Sequence, residues 1–220
     1  MSAVIPVVDG AEELPRTLAV LAGSGAVNEI VVVDGGSRDA SVEIARAAGA
    51  RVIAAPRGRG TQLAAGATAA RHDWLFFLHA DCRPLPGWED AVSAFVGEWP
   101  DKAGYFVLAL DDVAPAARRI EGVIAWRCRA LALPYGDQGL VIHRSLYDAV
   151  GGFAAIPLME DIDIVRRLGR ERLRPIGATM LASARRYRSG GYVRRPLRNL
   201  VCVSLYFAGV KLQRIAKLYE

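Results

Sequence analysis

Short apolar runs and helix-period stretches alternate along the N-terminal part of the chain. Residues 3–8, 29–33, 51–54 and 74–78 are brief, mostly apolar runs rich in Val, Ile and Phe, and each predicts a buried strand. Between them, residues 11–21 place apolar side chains at 14, 18 and 21 behind Glu12 and Glu13, which predicts a helix. Residues 41–48 (SVEIARAA) stop at Gly49 and residues 61–71 (TQLAAGATAAR) are Ala-rich, so both read as helices, with Gly58–Gly60 opening a loop before the second. The order β-α-β-α-β-α-β, with connections long enough for crossovers, predicts an α/β fold: a doubly wound, mostly parallel sheet with helices on both faces. Farther on the rhythm loosens. Strands are expected at 103–110 and 139–143, helices at 114–131 and 145–150, and a further helix opening at Pro157 and running to about Leu168. Residues 196–220 are largely apolar with Arg198, Lys211, Arg214 and Lys217 interspersed, which predicts one amphipathic C-terminal helix. No linker, low-complexity segment or repeat interrupts the chain, so residues 1–220 read as a single domain.

In open sheets of this kind, ligands bind beyond the carboxyl ends of the strands. Each of the first four expected strands ends in glycine or polar residues: Asp9-Gly10, Asp34-Gly35, Arg57-Gly58-Arg59 and His79-Ala80-Asp81. In LFFLHADC, residues 75–82, a buried run delivers a carboxylate, Asp81, to its tip. This convergence predicts a binding crevice. Asp34 and Asp39 have a second reading, as turn residues capping the next helix. Neither GxGxxG after the first strand nor GxxxxGK[ST] occurs, so a dinucleotide fingerprint and a P-loop are unsupported.

Composition narrows the partners. The 220 residues are 52% hydrophobic and 8% aromatic, which suits a packed core. The net charge of +5 fits a phosphorylated substrate, an anionic membrane or nucleic acid. Its cations gather at Arg185, Arg186, Arg188, Arg194, Arg195 and Arg198, with no aromatic platform beyond Tyr187 and Tyr192, which argues against nucleic acid. Cys82, Cys128 and Cys202 form no metal spacing and read as reduced buried thiols, and the N-terminus resembles a strand rather than a signal peptide. Both features point to the cytoplasm. Trp88 and Trp126 read as packing residues.

Five segments in order, VVVDGGSRD, PRGRGTQLAAGA, FLHADCRPLPGW, YGDQG and PLMEDIDIVRRL, resemble the family 2 glycosyltransferases of GT-A fold. The resemblance extends from Ile5 to the last residues. It is similar to a compact branch, marked here by His79-Ala80-Asp81, that is often linked to arsenosugar biosynthesis. It implies an inverting, metal-dependent transferase that moves a sugar from a nucleoside-diphosphate donor, of UDP or GDP type, to an unidentified acceptor hydroxyl. By the same resemblance Pro6, Asp9, Asp34, Asp39, Arg59 and Ala80 border the nucleotide, Asp34 meeting the base and Arg59 the ribose or phosphate. Asp81 and His79 ligate a divalent metal, Mn²⁺ or Mg²⁺. Asp161 is the base for the acceptor proton, with Glu160 beside it. Asp137 and Gln138 meet sugar or acceptor hydroxyls, and Arg185 and Arg186 meet the leaving diphosphate or a phosphorylated acceptor. Residues 1–100 would form the nucleotide-sugar half, 101–195 the acceptor and catalytic half, and 196–220 the C-terminal helix.

The chemistry explains these residue types. Expelling a nucleoside diphosphate builds negative charge, which a hard cation held by oxygen ligands stabilises. Adjacent Glu160 and Asp161 repel, raising at least one pKa, while a helix N-terminus pulls the other way. Two positions depart from the family pattern. Many relatives have Asn-Glu where Asp9-Gly10 stands, and a first aspartate where His79 stands, a residue that suits Mn²⁺ better than Mg²⁺. These departures keep open a non-catalytic nucleotide-sugar or carbohydrate-binding protein. A sugar-1-phosphate nucleotidyltransferase would want a glycine-rich loop with a lysine after the first strand, which VVDGAEELPR lacks. The C-terminal helix suits a core or homodimer contact, or peripheral attachment to an anionic membrane.

Overall fold

A computed structural model describes residues 1–219. Strands β1 (Ser2–Val7), β2 (Glu29–Asp34), β3 (Arg51–Ala54) and β4 (Trp74–Phe77) fall on the four expected runs and lie parallel in the order β3-β2-β1-β4. Their crossovers are α1 (Leu14–Ala22), α2 (Ser41–Ala47) and α3 (Arg59–Ala69). α1 starts at Leu14 rather than at residue 11 because Pro15 takes a first-turn position, where its missing N–H costs nothing. α3 starts at Arg59 rather than at residue 61. Gly58, at φ +144°, turns the chain so that Arg59 and Gly60 enter the helix instead of a loop. Pro6 lies buried in β1, beyond Val4, where the pairing with β4 ends.

The second half completes an eight-stranded sheet in the order β3-β2-β1-β4-β7-β6-β8-β5, with β5 (Cys82–Pro84), β6 (Ala103–Leu110), β7 (Leu140–His143) and β8 (Leu173–Ala182). β7 runs antiparallel to β4 and β6, β8 parallel to β6, and β5 antiparallel to β8. The sheet is therefore mixed but mostly parallel, as expected, and its direction changes at β4/β7. The remaining helices are α4 (Trp88–Glu98), α5 (Pro115–Leu131), α6 (Arg144–Ala149), α7 (Glu160–Leu168), α8 (Arg185–Gly190), α9 (Arg194–Phe207) and α10 (Leu212–Tyr219), with a short 3-10 turn at Gly136–Gln138. α7 begins at Glu160, not Pro157, after Met159 adopts φ +66°.

Four elements were not legible as patterns: β5, α4, β8 and α8. β8 contains Pro175 and Gly177, and a register shift against β6 falls between Tyr105 and Val107, with Gly177 at φ +84°. The expected single helix over 196–220 is two helices, broken where Gly209 takes φ +77°. Its last residue, Glu220, lies outside the described residues.

Phe76 on β4 stacks on Phe106 of β6, with ring centroids 5.4 Å apart, and meets Trp88 at 5.7 Å, so Trp88 is the packing residue expected. Trp126 is not; it is exposed. A smaller apolar cluster joins Leu158, Met159 and Ile162 to Cys202 and Val203 of α9 and Ile215 of α10, which docks the C-terminal helices beside the start of α7. Cys82, Cys128 and Cys202 are free and buried. Among the described residues no helix is long and apolar enough to cross a membrane.

Candidate active site

At the carboxyl ends of β1 and β2, Gln62 of α3 ties the strands together. Its buried amide donates to the carbonyls of Val7 at 2.9 Å and Val33 at 2.8 Å, and the Val7 carbonyl also accepts from the Gly35 N–H at 2.9 Å. The loops that follow are lashed together by the early aspartates. Asp9, at φ +51°, accepts from the Arg38 N–H at 2.7 Å. Asp39 accepts from the Ala11 N–H at 2.9 Å and from the Ser41 hydroxyl. Asp34 accepts from the N–H groups of Gly36 and Ser37 at 3.1 and 3.0 Å. Burial would raise the Asp34 pKa, but the Ser37 and Gly36 bonds outweigh it and lower it, and the Ser41 hydroxyl lowers that of Asp39. The turn part of the turn-and-cap reading describes the local bonds of Asp34 and Asp39; the N-cap of α2 is Ala40, which has no side-chain cap bond.

A cleft of about 630 Å³ opens alongside, lined by Arg59, His79, Asp81, Asp137, Asp161 and Arg186, together with Cys82, Tyr135, Ser183, Tyr187, Arg195 and Asn199. The β4–β5 turn supplies His79 and Asp81. It is pinned by the Thr17 hydroxyl, 2.8 Å from the Ala80 carbonyl, and by the Ser183 N–H, which donates to the Asp81 carbonyl at 3.0 Å. Asp161, in the first turn of α7, is aimed by the Gly136 N–H, which donates to its carboxylate at 2.8 Å. A Cβ at Gly136 would lie 2.6 Å from His79 Nε2, so only glycine lets the 3-10 turn approach the ring this closely.

Burial governs the electrostatics. It pushes His79 down to about 4, helped by the Arg59 cation, so the imidazole is neutral and free to ligate near neutral pH. It pushes Asp137 up to about 6 against Arg127, with Asp161 and Asp81 adding to the rise. It pushes Glu160 up to about 7 against Arg59, with Asp161 again adding. Glu160 is 0% exposed, and Arg59 Nε stands 3.0 Å from its Oε1 as an ion pair without a linear hydrogen bond. Glu160 borders an adjoining, mainly apolar pocket of about 410 Å³ with Leu63, Phe77, Phe153 and Ile164, which shares His79, Tyr135 and Asp161 with the cleft.

The donor set fits a divalent cation. Ligand atoms of His79, Asp81 and Cys82 lie within 4.8 Å of one another, and Asp137 Oδ1, in the same cleft, is buried with no hydrogen-bond partner. Burial raises the Cys82 thiol well above its ordinary pKa, and the imidazole of His79 and the carboxylate of Asp81 beside it are donors suited to Mn²⁺.

The cleft therefore gathers Arg59, His79, Asp81, Asp137, Asp161 and Arg186 from the expected residues. The others are elsewhere. Pro6 is buried in β1, and Ala80 does not line the cleft, its carbonyl being occupied by Thr17. Gln138 is 2% exposed; its Oε1 accepts from Arg127 and the Tyr135 N–H, and its amide donates to the Phe106 carbonyl at 2.9 Å, so it secures the 3-10 turn. Arg185 is exposed and paired with Glu12. Tyr187, Arg195 and Asn199 line the cleft but were not singled out for it; the spacing of four between Arg195 and Asn199 is the one local signal that they share a helix face.

The sequence profile of Glycosyl transferase family 2 matches residues 2–157. No curated protein matches the chain. Among solved structures, TarS 1–349 of S. aureus in complex with UDP-GlcNAc is similar over 99% of this chain and 70% of that chain, with a TM-score of 0.66 and 16% identity. Glucosyl-3-phosphoglycerate synthase from Mycobacterium tuberculosis, in complex with Mg²⁺ and uridine diphosphate, is similar over 96% and 79%, with a TM-score of 0.63 and 18% identity. The same synthase with Mn²⁺, uridine diphosphate and phosphoglyceric acid gives 0.62 and 19% over 96% and 78%. Identities this low speak for a shared GT-A fold, while the profile covers well over half of the chain. The chain belongs to glycosyl transferase family 2 and is a glycosyltransferase.

Proposed function

We propose that the protein is a metal-dependent, inverting glycosyltransferase that uses a nucleoside-diphosphate sugar of UDP or GDP type. The observation that carries this is the convergence of Asp81, Asp137, Asp161 and neutral His79, flanked by Arg59 and Arg186, on one cleft beyond the strand ends. The neighbours crystallised with UDP-GlcNAc, or with uridine diphosphate and Mg²⁺ or Mn²⁺, support the donor and metal class. Asp81 and His79, with Asp137 beside them, would hold the cation. When bound, it would offset the charge that develops on the leaving diphosphate. Arg59 and Arg186 add fixed positive charge from the protein, and Glu160 acts by holding Arg59 rather than by touching substrate. Inversion in one displacement needs a base for the acceptor hydroxyl, and Asp161, aimed by Gly136, has that role.

The cleft draws Arg59, His79 and Asp81 from residues 1–100 and Asp137, Asp161 and Arg186 from 101–195, which supports a donor half and an acceptor half. Asp9, Asp34 and Asp39 shape the loops at the nucleotide end. The arsenosugar-linked branch rests on the motif run alone. Free buried thiols support a reducing, cytoplasmic setting. The test is acceptor-free turnover of UDP- and GDP-sugars with Mn²⁺ and with EDTA. Metal-dependent release of nucleoside diphosphate is expected. Binding without turnover would indicate a binding protein, and release of pyrophosphate from a nucleoside triphosphate and a sugar phosphate would indicate a nucleotidyltransferase.

A further inference from the structure

α9 has two unlike faces. One carries Cys202 and Val203, buried in the apolar cluster beside α7, with Arg195 and Asn199 on the cleft. The other carries Val193, Leu197, Leu200, Val201 and Phe207, between 41 and 79% exposed. Spaced at 4, 7, 8 and 14 residues from Val193, which immediately precedes the helix, these five side chains share one face, interrupted by exposed Ser204 before Phe207. Single exposed apolar residues are ordinary, but several aligned on one helix face mark a contact surface. Exposed cations accompany it: Arg194 at its start, Lys211 just before α10, and Arg214 and Lys217 on α10. Residues 194–218 contain no Asp or Glu at all.

We propose that this face of α9 and α10 docks on an anionic lipid bilayer, the apolar stripe entering the headgroup boundary and the cations meeting the lipid phosphates. Charge complementarity favours this occupant over a second copy of the chain. A two-fold contact through the stripe would set the same cations against one another, with no carboxylate in the segment to pair them. The geometry is that of a helix lying on the surface, since neither helix can cross a membrane. Because the opposite face of α9 walls the cleft, docking holds the cleft about one helix diameter, roughly 10 Å, from the lipid.

Flotation of the full chain with vesicles tests this. Vesicles of phosphatidylcholine containing phosphatidylglycerol should carry the protein upward at low salt. Phosphatidylcholine alone should carry roughly tenfold less, and high salt should weaken the anionic case. Leu197→Glu/Leu200→Glu should lose flotation about tenfold or more while keeping the wild-type melting temperature, because both side chains are exposed. Lys211→Glu/Arg214→Glu should lose about fivefold per cation. No flotation with anionic vesicles would overturn the proposal. So would equal flotation of Leu197→Glu/Leu200→Glu, or a solution dimer that this variant dissociates.

Discussion

A carboxylate at the start of a helix ordinarily complements the dipole and stays ionised. Glu160 has that position but is fully buried beside Asp161, and burial outweighs the Arg59 ion pair, so its pKa rises to about 7 from an ordinary 4.5. The folded protein thus binds a proton that the unfolded chain has released. Stability from this group is fully present below about pH 4.5 and is lost as the pH rises through about 7. Glu160→Gln should therefore flatten the fall in melting temperature between about pH 5 and 8, and an unchanged slope would assign the titration to another group. Asp161→Asn keeps the size of the side chain but removes the base. It should lower kcat by about 10²–10⁴-fold while nucleotide binding survives; loss of nucleotide binding instead would make Asp161 a donor ligand. That Asp81, Asp161 and Arg59 line one cleft was legible because they stand beside strand ends or helix starts in recognisable motifs. The buried contacts of Gln138 and Glu160 were not, because they depend on partners brought by tertiary packing: the Phe106 carbonyl for one, Arg59 for the other.

At the level of elements, β1–β4 announce themselves as apolar runs, whereas β5 is three residues of CRP and β8 is punctuated by Pro175 and Gly177. The antiparallel direction of β7 leaves no trace in periodicity; it follows from where the chain re-enters the sheet. One contact between α3 and the loop before α7 is a close backbone approach. A Cβ on Gly60 would lie 2.2 Å from the Ala154 carbonyl oxygen and 3.0 Å from that of Ile156. Gly60→Ala should destabilise by about 1–3 kcal/mol in urea unfolding, as α3 is pushed off the loop before α7. Gly122→Ala, within α5 and with nothing inside 4 Å of its Cβ, should instead gain up to about 1 kcal/mol. Equal effects of the two would mean that the approach of α3 to that loop contributes nothing.

Across the whole molecule, the cleft exists only because distant segments meet. The β4–β5 turn, the 3-10 turn, the start of α7 and the inner faces of α8 and α9 each contribute side chains, and the C-terminal helices are held there by the cluster around Ile162, Val203 and Ile215. Three cations, Arg59, Arg186 and Arg195, and three carboxylates, Asp81, Asp137 and Asp161, then face a common space, an arrangement that asks for a metal-bridged diphosphate. Calorimetric titration of UDP and of GDP, each with and without Mn²⁺, into the wild-type protein and Asp81→Ala examines that arrangement. One nucleotide should bind only with the metal, and Asp81→Ala should weaken it on the order of 100-fold. Binding that is equally tight without metal, or unchanged in Asp81→Ala, would contradict a metal-bridged diphosphate in this cleft.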